Sequence, residues 1–367
     1  MRTVLLLAPL ALVACLPPAV TLSQNYALAP RPNVTDAVTG DFNGDGKVDL
    51  LVHSVDARGE LTVMLGLGNG QFADGISTAI ARDVKVPTIA DLNNDNFADV
   101  LVIDQTPYPG TPTITVLIGN GDGTFRQPVS ITIGASPTGA RVADFNGDGK
   151  KDIAIAAGRV GPSVVGTGRL LVMLGHGDGT FDAPHTQELG IDPAHITEAD
   201  FNGDGRMDLA VVDGVQHGAT MILLGRGDGW FDEGFRFYAK FEAMGIRHAD
   251  MNGDKLEDLV LSSNDGISVY LNLGGGQFGF RTAVYTDTFR ASAIADFDHD
   301  GIMDFAVSRR YLHGQPDGTY RPFEIAHRDY DDSFTVSADL NNDGWPDLIS
   351  TDRAHQEIRI ALNRGAK

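Results

Sequence analysis

Residues Asp41 to Asp49 read DFNGDGKVD, with aspartate or asparagine at positions 1, 3, 5 and 9. Six more stretches repeat this pattern: DLNNDNFAD from Asp91, DFNGDGKKD from Asp144, DFNGDGRMD from Asp200, DMNGDKLED from Asp250, DFDHDGIMD from Asp296 and DLNNDGWPD from Asp339. Successive copies begin 43 to 56 residues apart. A regular return at this period is typical of a repeat architecture.

The side chains of this nine-residue acidic loop carry the chemistry of a metal site. Oxygen atoms at positions 1, 3, 5 and 9, with the backbone carbonyl of position 7, suit a hard divalent cation. We therefore expect calcium in up to seven loops. The expected ligands are Asp41, Asn43, Asp45, Lys47, Asp49, Asp91, Asn93, Asp95, Phe97, Asp99, Asp144, Asn146, Asp148, Lys150, Asp152, Asp200, Asn202, Asp204, Arg206, Asp208, Asp250, Asn252, Asp254, Leu256, Asp258, Asp296, Asp298, Asp300, Ile302, Asp304, Asp339, Asn341, Asp343, Trp345 and Asp347.

An EF-hand is the main alternative for such a loop, and it requires glutamate at position 12 with a helix on each side. Position 12 here is apolar in six copies and Ser350 in the seventh, which excludes an EF-hand. Asn96 and Lys255 replace glycine at position 6, where we expect a positive φ angle. Lysine tolerates that conformation poorly, so the Asp250 loop is the weakest expected site.

A second motif, rich in glycine and ending in an aromatic residue, lies between the acidic loops, as in LGLGNGQF ending at Phe72. Short strand-like runs flank both motifs, and no helix-length amphipathic segment competes with them. Each repeat supplies four strands, here called A to D, with A–B joined by the acidic loop and C–D by the glycine-rich loop. The pattern predicts an all-β, seven-bladed β-propeller.

The last repeat ends before its fourth strand. The interval from each glycine-loop aromatic to the next acidic loop is 18 or 19 residues, and counting 19 back from Asp41 reaches Leu22. We therefore expect residues 22 to about 30 to close the ring as the outer strand of the last blade. The predicted propeller spans residues 22–367.

The amino terminus has the features of an export signal. A short apolar run from Val4 to Val13 follows Arg2, and Leu12-Val13-Ala14-Cys15 resembles a bacterial lipobox. We expect a signal peptide at 1–14, lipid attached to Cys15, a tether at 15–21, and a bacterial cell-envelope or surface lipoprotein. Cleavage after Ser23 and ordinary secretion is the alternative. The expected contact with a membrane is through this lipid alone.

Charge and motif content limit the possible functions. The net charge of −21 argues against a nucleic-acid partner, which requires a basic face. The sequence has no HExxH, GxSxG or P-loop pattern, and we assign no catalytic residue.

The acidic loop between strands, followed by a glycine loop and phenylalanine, resembles the FG-GAP or VCBS repeats of integrin α-subunit heads and of bacterial surface proteins. This resemblance implies calcium on one face of a seven-bladed propeller. It leaves the ligand open, because the scaffold serves adhesion, glycan binding and structural roles. We expect a non-enzymatic surface or secreted protein that binds a protein or glycan. The alternatives are a polysaccharide lyase or hydrolase and a structural assembly subunit.

The ligand is expected on the face opposite the acidic loops, here called the top face. Strands B and C are joined there, and most of the length variation between repeats lies in the B–C half. Variable loops on a rigid scaffold commonly carry recognition. Candidates on B–C loops are Tyr108, Arg159, His217, Arg309, Tyr311 and His355, and candidates near the start of strand A are Arg141, His195 and Arg247.

Overall fold

The computed structural model describes residues 22–27, 34–54, 59–80, 84, 87–104, 112–158, 168–214, 218–285, 292–307, 310–324, 332–352 and 357–365. Across these residues the regular structure is entirely β, and 28 strands form seven antiparallel sheets of four strands. The predicted all-β, seven-bladed propeller is therefore confirmed. Within the same residues, no helix combines the length and apolar character needed to cross a bilayer.

Each sheet is one blade, numbered in chain order. Blade one contains β2 (Val34–Gly40), β3 (Asp49–Ser54), β4 (Glu60–Met64) and β5 (Ile76–Ala79). Blade two contains β6 (Thr88–Ala90), β7 (Asp99–Asp104), β8 (Thr113–Leu117) and β9 (Val129–Thr132). Blade three contains β10 (Ser136–Ala143), β11 (Asp152–Gly158), β12 (Arg169–Met173) and β13 (His185–Glu188). Blade four contains β14 (Pro193–Ala199), β15 (Asp208–Asp213), β16 (Ala219–Gly225) and β17 (Phe231–Tyr238).

The other three blades follow the same order. Blade five contains β18 (Ala243–Ala249), β19 (Asp258–Ser263), β20 (Gly266–Asn272) and β21 (Phe278–Tyr285). Blade six contains β22 (Ser292–Ala295), β23 (Asp304–Val307), β24 (Arg310–Gly314) and β25 (Tyr320–Glu324). Blade seven contains β26 (Asp332–Ala338), β27 (Asp347–Asp352) and β28 (Glu357–Asn363), with β1 (Leu22–Ala27) as its outer strand.

Ring closure occurs as the residue intervals predict. Strand β1 pairs antiparallel with β28, so that Leu22 lies opposite Asn363 and Tyr26 opposite Ile360. The amino-terminal strand thereby completes the blade that the carboxyl end begins. Hydrogen bonds between β1 and β28 therefore give blade seven the same four strands as the other blades.

The hydrophobic core is divided among the interfaces between neighbouring blades. Each of the seven core clusters combines residues of two adjacent blades, from blades one and two around to blades seven and one. Strand A of one blade contacts strand A of the next, as β10 contacts β14 and β14 contacts β18. The A strands are therefore innermost, and the acidic loops that follow them share one end of the ring.

Strand position explains the burial pattern within a blade. Residues of the second strands, such as β3, are buried on both faces because neighbouring blades cover each side. The outer strand β13 alternates between exposed and half-buried residues, because successive side chains point to opposite faces and one of these faces is more exposed to solvent. Apolar runs therefore mark second strands, and alternating runs mark outer strands.

Candidate metal-binding face

All seven acidic loops share one set of hydrogen bonds from backbone amides to side-chain oxygens. In the first, the Gly46 amide donates to Asp41 at 2.9 Å, the Asp45 amide to Asn43 at 3.1 Å and the Lys47 amide to Asp45 at 2.9 Å. The other six loops repeat these three bonds. The side-chain oxygens at positions 1, 3 and 5 thus accept hydrogen bonds from backbone amides of the same loop and hold it in a tight turn.

Positive φ angles are required at two positions of each loop. Asn96 and Lys255, at position 6, have φ values of 66° and 71°, as expected from the sequence. Position 4 has the same requirement, which the sequence analysis missed, and His299 occupies it with φ 57°. The Lys255 amide still donates to Asp250 at 2.7 Å, so the Asp250 loop keeps the common geometry despite the backbone strain.

The position-9 aspartates hold the acidic loop and the glycine-rich loop of each blade together. Asp208 is fully buried, and it accepts the Gly225 amide at 2.7 Å and the Phe201 amide at 3.0 Å. The other six blades have the equivalent pair of bonds, between 2.7 and 2.9 Å. These carboxylates therefore have a structural role in addition to the expected metal ligation.

Burial has the largest effect on the pKa of these position-9 carboxyls and raises it. It raises the pKa to about 6 for Asp99, Asp208, Asp258 and Asp347, although the two amide donors act in the opposite direction. The neighbouring carboxylates at positions 1 and 5 raise the pKa of Asp99 further. A divalent cation would favour the ionised form by offsetting both the burial and this repulsion.

Position 2 of the acidic loop anchors one blade against the next. Phe145 and Phe201 are buried, and each packs edge-to-face against the aromatic residue of the following blade's glycine loop, Phe231 and Phe278, with ring centres 5.6 Å apart. Backbone bonds between blades accompany these contacts. Backbone hydrogen bonds therefore join the loops of neighbouring blades from blade seven through blade one to blade five.

The donor set of these loops fits calcium. Positions 1, 3, 5, 7 and 9 all offer oxygen atoms, which calcium binds at about 2.3–2.6 Å. In blade six, carboxylate oxygens of Asp296, Asp298 and Asp300 lie within 4.8 Å of one another, close enough to share one divalent cation. Basic side chains also approach position 5, with Lys47 2.9 Å from Asp45 and Lys150 3.4 Å from Asp148. Each such pair offsets one carboxylate and leaves the others of its loop for a cation.

The structure describes only some of the candidate ligand-face residues. Tyr108, Arg159, His217, Arg309 and His355 lie outside the described residues, as do Cys15 and the segments 1–14 and 15–21. Among the four described candidates, Tyr311 is misassigned. It lies in strand β24, is buried at the interface of blades six and seven, and its hydroxyl donates to Asp304.

Arg141, His195 and Arg247 lie on innermost strands, as expected, but not all at the start. Arg141 is two residues from the end of β10 and Arg247 two from the end of β18, nearer the acidic loops than the top face. Arg141 pairs with Glu198 of the neighbouring blade at 2.8 Å. Arg247 is exposed to solvent on β18, yet the protein atoms around it partly desolvate its guanidinium and, with the nearby charge of Arg141, lower its pKa. His195 is half-buried in β14.

An aromatic surface on blades four and five was missed by the sequence analysis. The outer strands β17 and β21 have eight residues each, compared with four in β5, β9 and β13. Phe237 contacts Tyr270 across the two blades at 4.6 Å, and Tyr270 contacts Phe280. Tyr238, Phe280 and Tyr285 are more than half exposed. The alternating aromatics of FRFY, ending at Tyr238, were the available signal.

A family profile described as FG-GAP-like repeat matches residues 41–102, 91–155, 163–211, 200–261 and 250–307, which together cover more than half of the chain. No curated protein matches the chain.

Solved structures with a similar fold include a lectin from Agrocybe aegerita, described as recognising non-reducing terminal N-acetylglucosamine. It is 19% identical, with a TM-score of 0.55 over 80% of each chain. BBS1N, solved in complex with ARL6DN, is 13% identical, with a TM-score of 0.63 over 94% of this chain and 97% of that one. At these identities the likeness concerns the fold alone.

Proposed function

Because the chain belongs to the FG-GAP-like repeat family, we propose that it is a non-enzymatic, calcium-loaded propeller that binds a protein or glycan through its top face. The main support is the hydrogen-bond network that all seven acidic loops share. Seven loops with the same hydrogen-bond pattern are a sign of a shared structural role, whereas recognition usually requires loops that differ.

Calcium is the proposed cofactor in up to seven loops. Their donors are oxygen atoms, which calcium prefers, and the loops contain no cysteine. Calcium would also offset the repulsion among three or four carboxylates in each loop. With an extracellular-type Kd of about 10⁻⁴ M, millimolar calcium contributes about 1.4 kcal/mol per site. Calcium would therefore be an integral part of the fold.

The top face is proposed for the ligand because the opposite face is already used. The position-9 aspartates and the bonds between blades engage the acidic and glycine loops in holding the ring together. Substitution there would alter stability before it altered specificity. The B–C loops can vary without breaking these bonds, as their unequal lengths indicate.

Export and lipid attachment at Cys15 complete the proposal. A cell-envelope location would expose the acidic loops to the millimolar calcium that such sites need. The tether of residues 15–21 would leave from the acidic-loop end of β1, because antiparallel pairing fixes the direction of that strand. The top face would then point away from the membrane.

The ligand class is supported only by analogy at fold level. The lectin with a similar fold suggests that glycans should be screened first. A polysaccharide lyase or hydrolase and a structural assembly subunit are the alternatives. A glycan array combined with a polysaccharide-degradation assay separates these possibilities, because a lectin retains its glycan and an enzyme releases products. Product release by the purified chain would overturn the non-enzymatic assignment.

Alanine substitutions on three surfaces test which face of the propeller binds the ligand. The sequence assigns Tyr108 and Arg159 to the top face, while Phe280 represents the aromatic surface and Asp204 the acidic loops. We expect the top-face variants to lose ligand while their thermal unfolding is unchanged. Loss confined to the Phe280 variant would move the ligand to the aromatic surface. Loss confined to the Asp204 variant, with folding intact, would place it on the acidic face. Either result would refute the top-face proposal.

A further inference from the structure

Blade six departs from the repeat at two positions that face each other. Position 3 of its acidic loop is Asp298, whereas the other six loops have asparagine there. The residue before its glycine loop is His313. The equivalent residues in the other blades are apolar, namely Leu65, Ile118, Leu174, Leu224, Leu271 and Leu362. A second carboxylate and an imidazole have therefore replaced an amide and an aliphatic side chain in the same blade.

These two side chains meet the position-9 aspartate inside the protein. His313 Nδ1 lies 3.1 Å from Asp298 Oδ2 and 3.2 Å from Asp304 Oδ1. Exposure is 7% for Asp298, 0% for Asp304 and 6% for His313. One ligand atom from each residue lies within 4.8 Å of the other two. The three groups thus form a buried cluster with one nitrogen and two carboxylates.

The surrounding hydrogen bonds orient this cluster. Asp304 Oδ2 accepts the Phe297 amide at 2.9 Å and the Tyr311 hydroxyl, while Oδ1 accepts the Gly314 amide at 2.7 Å. Asp304 Oδ1 also lies within hydrogen-bond distance of His313 Nδ1, at 3.2 Å. Outer hydrogen bonds of this kind fix the orientation of carboxylates that bind metals. Tyr311 is therefore placed to support Asp304.

When both carboxyls are ionised, the charge of the cluster favours a cationic partner. With a neutral imidazole the two carboxylates bring two negative charges into the interior, and with a protonated imidazole one remains uncompensated by the cluster itself. Buried charges in proteins are paired or coordinate metals. A divalent cation would balance the neutral-imidazole form, in which Nδ1 has a lone pair available as a ligand.

The donor types distinguish this site from the other six. Calcium takes oxygen ligands, so a histidine in place of leucine offers it no advantage. Imidazole nitrogen suits zinc and similar transition metals. At zinc bond lengths of about 2.0–2.2 Å, ligand atoms in a tetrahedral shell are about 3.3 Å apart. The separations of 3.1 and 3.2 Å match this spacing.

We propose that blade six binds a divalent transition metal of the zinc class through Asp298, Asp304 and His313, whereas the other six loops have sites made only of oxygen. Asp296 and Asp300 supply further carboxylate oxygens beside Asp298. The competing explanation is that His313 is a protonated counter-ion of the fourth carboxylate. This inference does not depend on whether the other loops hold calcium, because zinc and calcium are measured separately.

Zinc retention by the full chain tests the proposal. After treatment with chelator, the protein is dialysed against micromolar zinc in the presence of millimolar calcium, and bound metals are counted by mass spectrometry. Cobalt, used in place of zinc, reports nitrogen and oxygen ligation through its visible absorption. We expect one zinc per chain that excess calcium does not displace.

Two variants restore the sequence of the other blades. His313→Leu and Asp298→Asn should each weaken zinc binding by about 100-fold or more, since each removes a ligand. His176→Asn is the matched control, because His176 lies on the exposed glycine loop of blade three, and it should retain zinc fully. Circular dichroism checks folding, and Asp298→Asn decides the question if His313→Leu does not fold.

Two results would overturn the proposal. One is wild-type protein that retains no zinc; tighter calcium binding by His313→Leu would then show that His313 is a counter-ion. The other is equal zinc retention by wild type and both variants, which would assign the zinc to other groups. Calcium binding at the other six loops would be unaffected by either result, so the proposed function would be judged on its own.

Discussion

Lys255 provides a direct measure of the backbone strain in the acidic loops. It has φ 71° at position 6, where five loops have glycine and one has asparagine. Its amide donates to Asp250 at 2.7 Å, as the Gly205 amide of blade four donates to Asp200 at 2.8 Å. The two positions therefore differ in the side chain and not in the hydrogen bond.

Lys255→Gly and Lys255→Ala both remove the charge, and only the alanine variant keeps a Cβ atom at positive φ. The left-handed conformation costs an L-residue about 1–2 kcal/mol. The greater unfolded-state freedom of glycine offsets about 0.5–1 kcal/mol of this. Lys255→Gly should therefore be more stable than Lys255→Ala by about 0.5–1 kcal/mol.

Gly205→Ala is the reciprocal substitution. A Cβ built at Gly205 has no atom within 4 Å, so the variant introduces strain without a clash. It should lose the same 0.5–1 kcal/mol relative to wild type. Urea unfolding at fixed calcium measures all three variants. Equal stabilities of Lys255→Gly and Lys255→Ala, or a Gly205→Ala protein as stable as wild type, would show that the loops do not impose this conformation.

Three further predictions concern metal binding, stability and processing. Asp208→Ala should destabilise the calcium-loaded protein by about 2 kcal/mol or more beyond Asp204→Ala, because it also leaves two buried amides without acceptors. Urea unfolding measures the difference between the two variants. Equal losses of stability would contradict the structural role of position 9. Calcium should raise the unfolding temperature more at pH 7 than at pH 5. In chelator, the position-9 carboxyls with a pKa of about 6 favour the folded state at low pH and lose that contribution as the pH rises from about 4 to 6. Ionised carboxylates also bind calcium better than protonated ones. Calorimetry with and without chelator tests both effects, and a smaller calcium-induced shift of the unfolding temperature at pH 7 would refute them. Cys15 should be the mature amino terminus and carry lipid in protein purified from a bacterial host, and mass spectrometry that finds an unmodified terminus after Cys15 would disprove it.

Much of the fold could be predicted from spacing. The acidic loop recurs in one register, and the constant interval before each copy identified Leu22 as the start of the closing strand, which pairs with Asn363 in the structure. The requirement for a positive φ at position 6 was also evident from the glycines there. At position 4 the requirement was less evident, because asparagine and histidine occupy it in three loops.

The assignment of individual side chains was less successful. Tyr311 stands beside a B–C loop in the sequence, yet it is buried and donates to Asp304. Arg141 and Arg247 were placed correctly on innermost strands but too close to the top face. The sequence does not record how far along a strand each blade meets its neighbour, because that depends on the packing of two separate repeats.

The fold class, the number of blades, the closing strand and the expected metal-ligand chemistry could all be read from the amino-acid sequence, because each follows from the identity and spacing of residues close together along the chain. Three features required the folded protein: position 9 holds two loops together, position 2 packs against the next blade, and His313 lies beside Asp298 and Asp304. These relations join segments that meet only when antiparallel pairing and blade packing close the ring. A local pattern specifies which strand forms, whereas the shared buried volume between strands specifies which side chains meet.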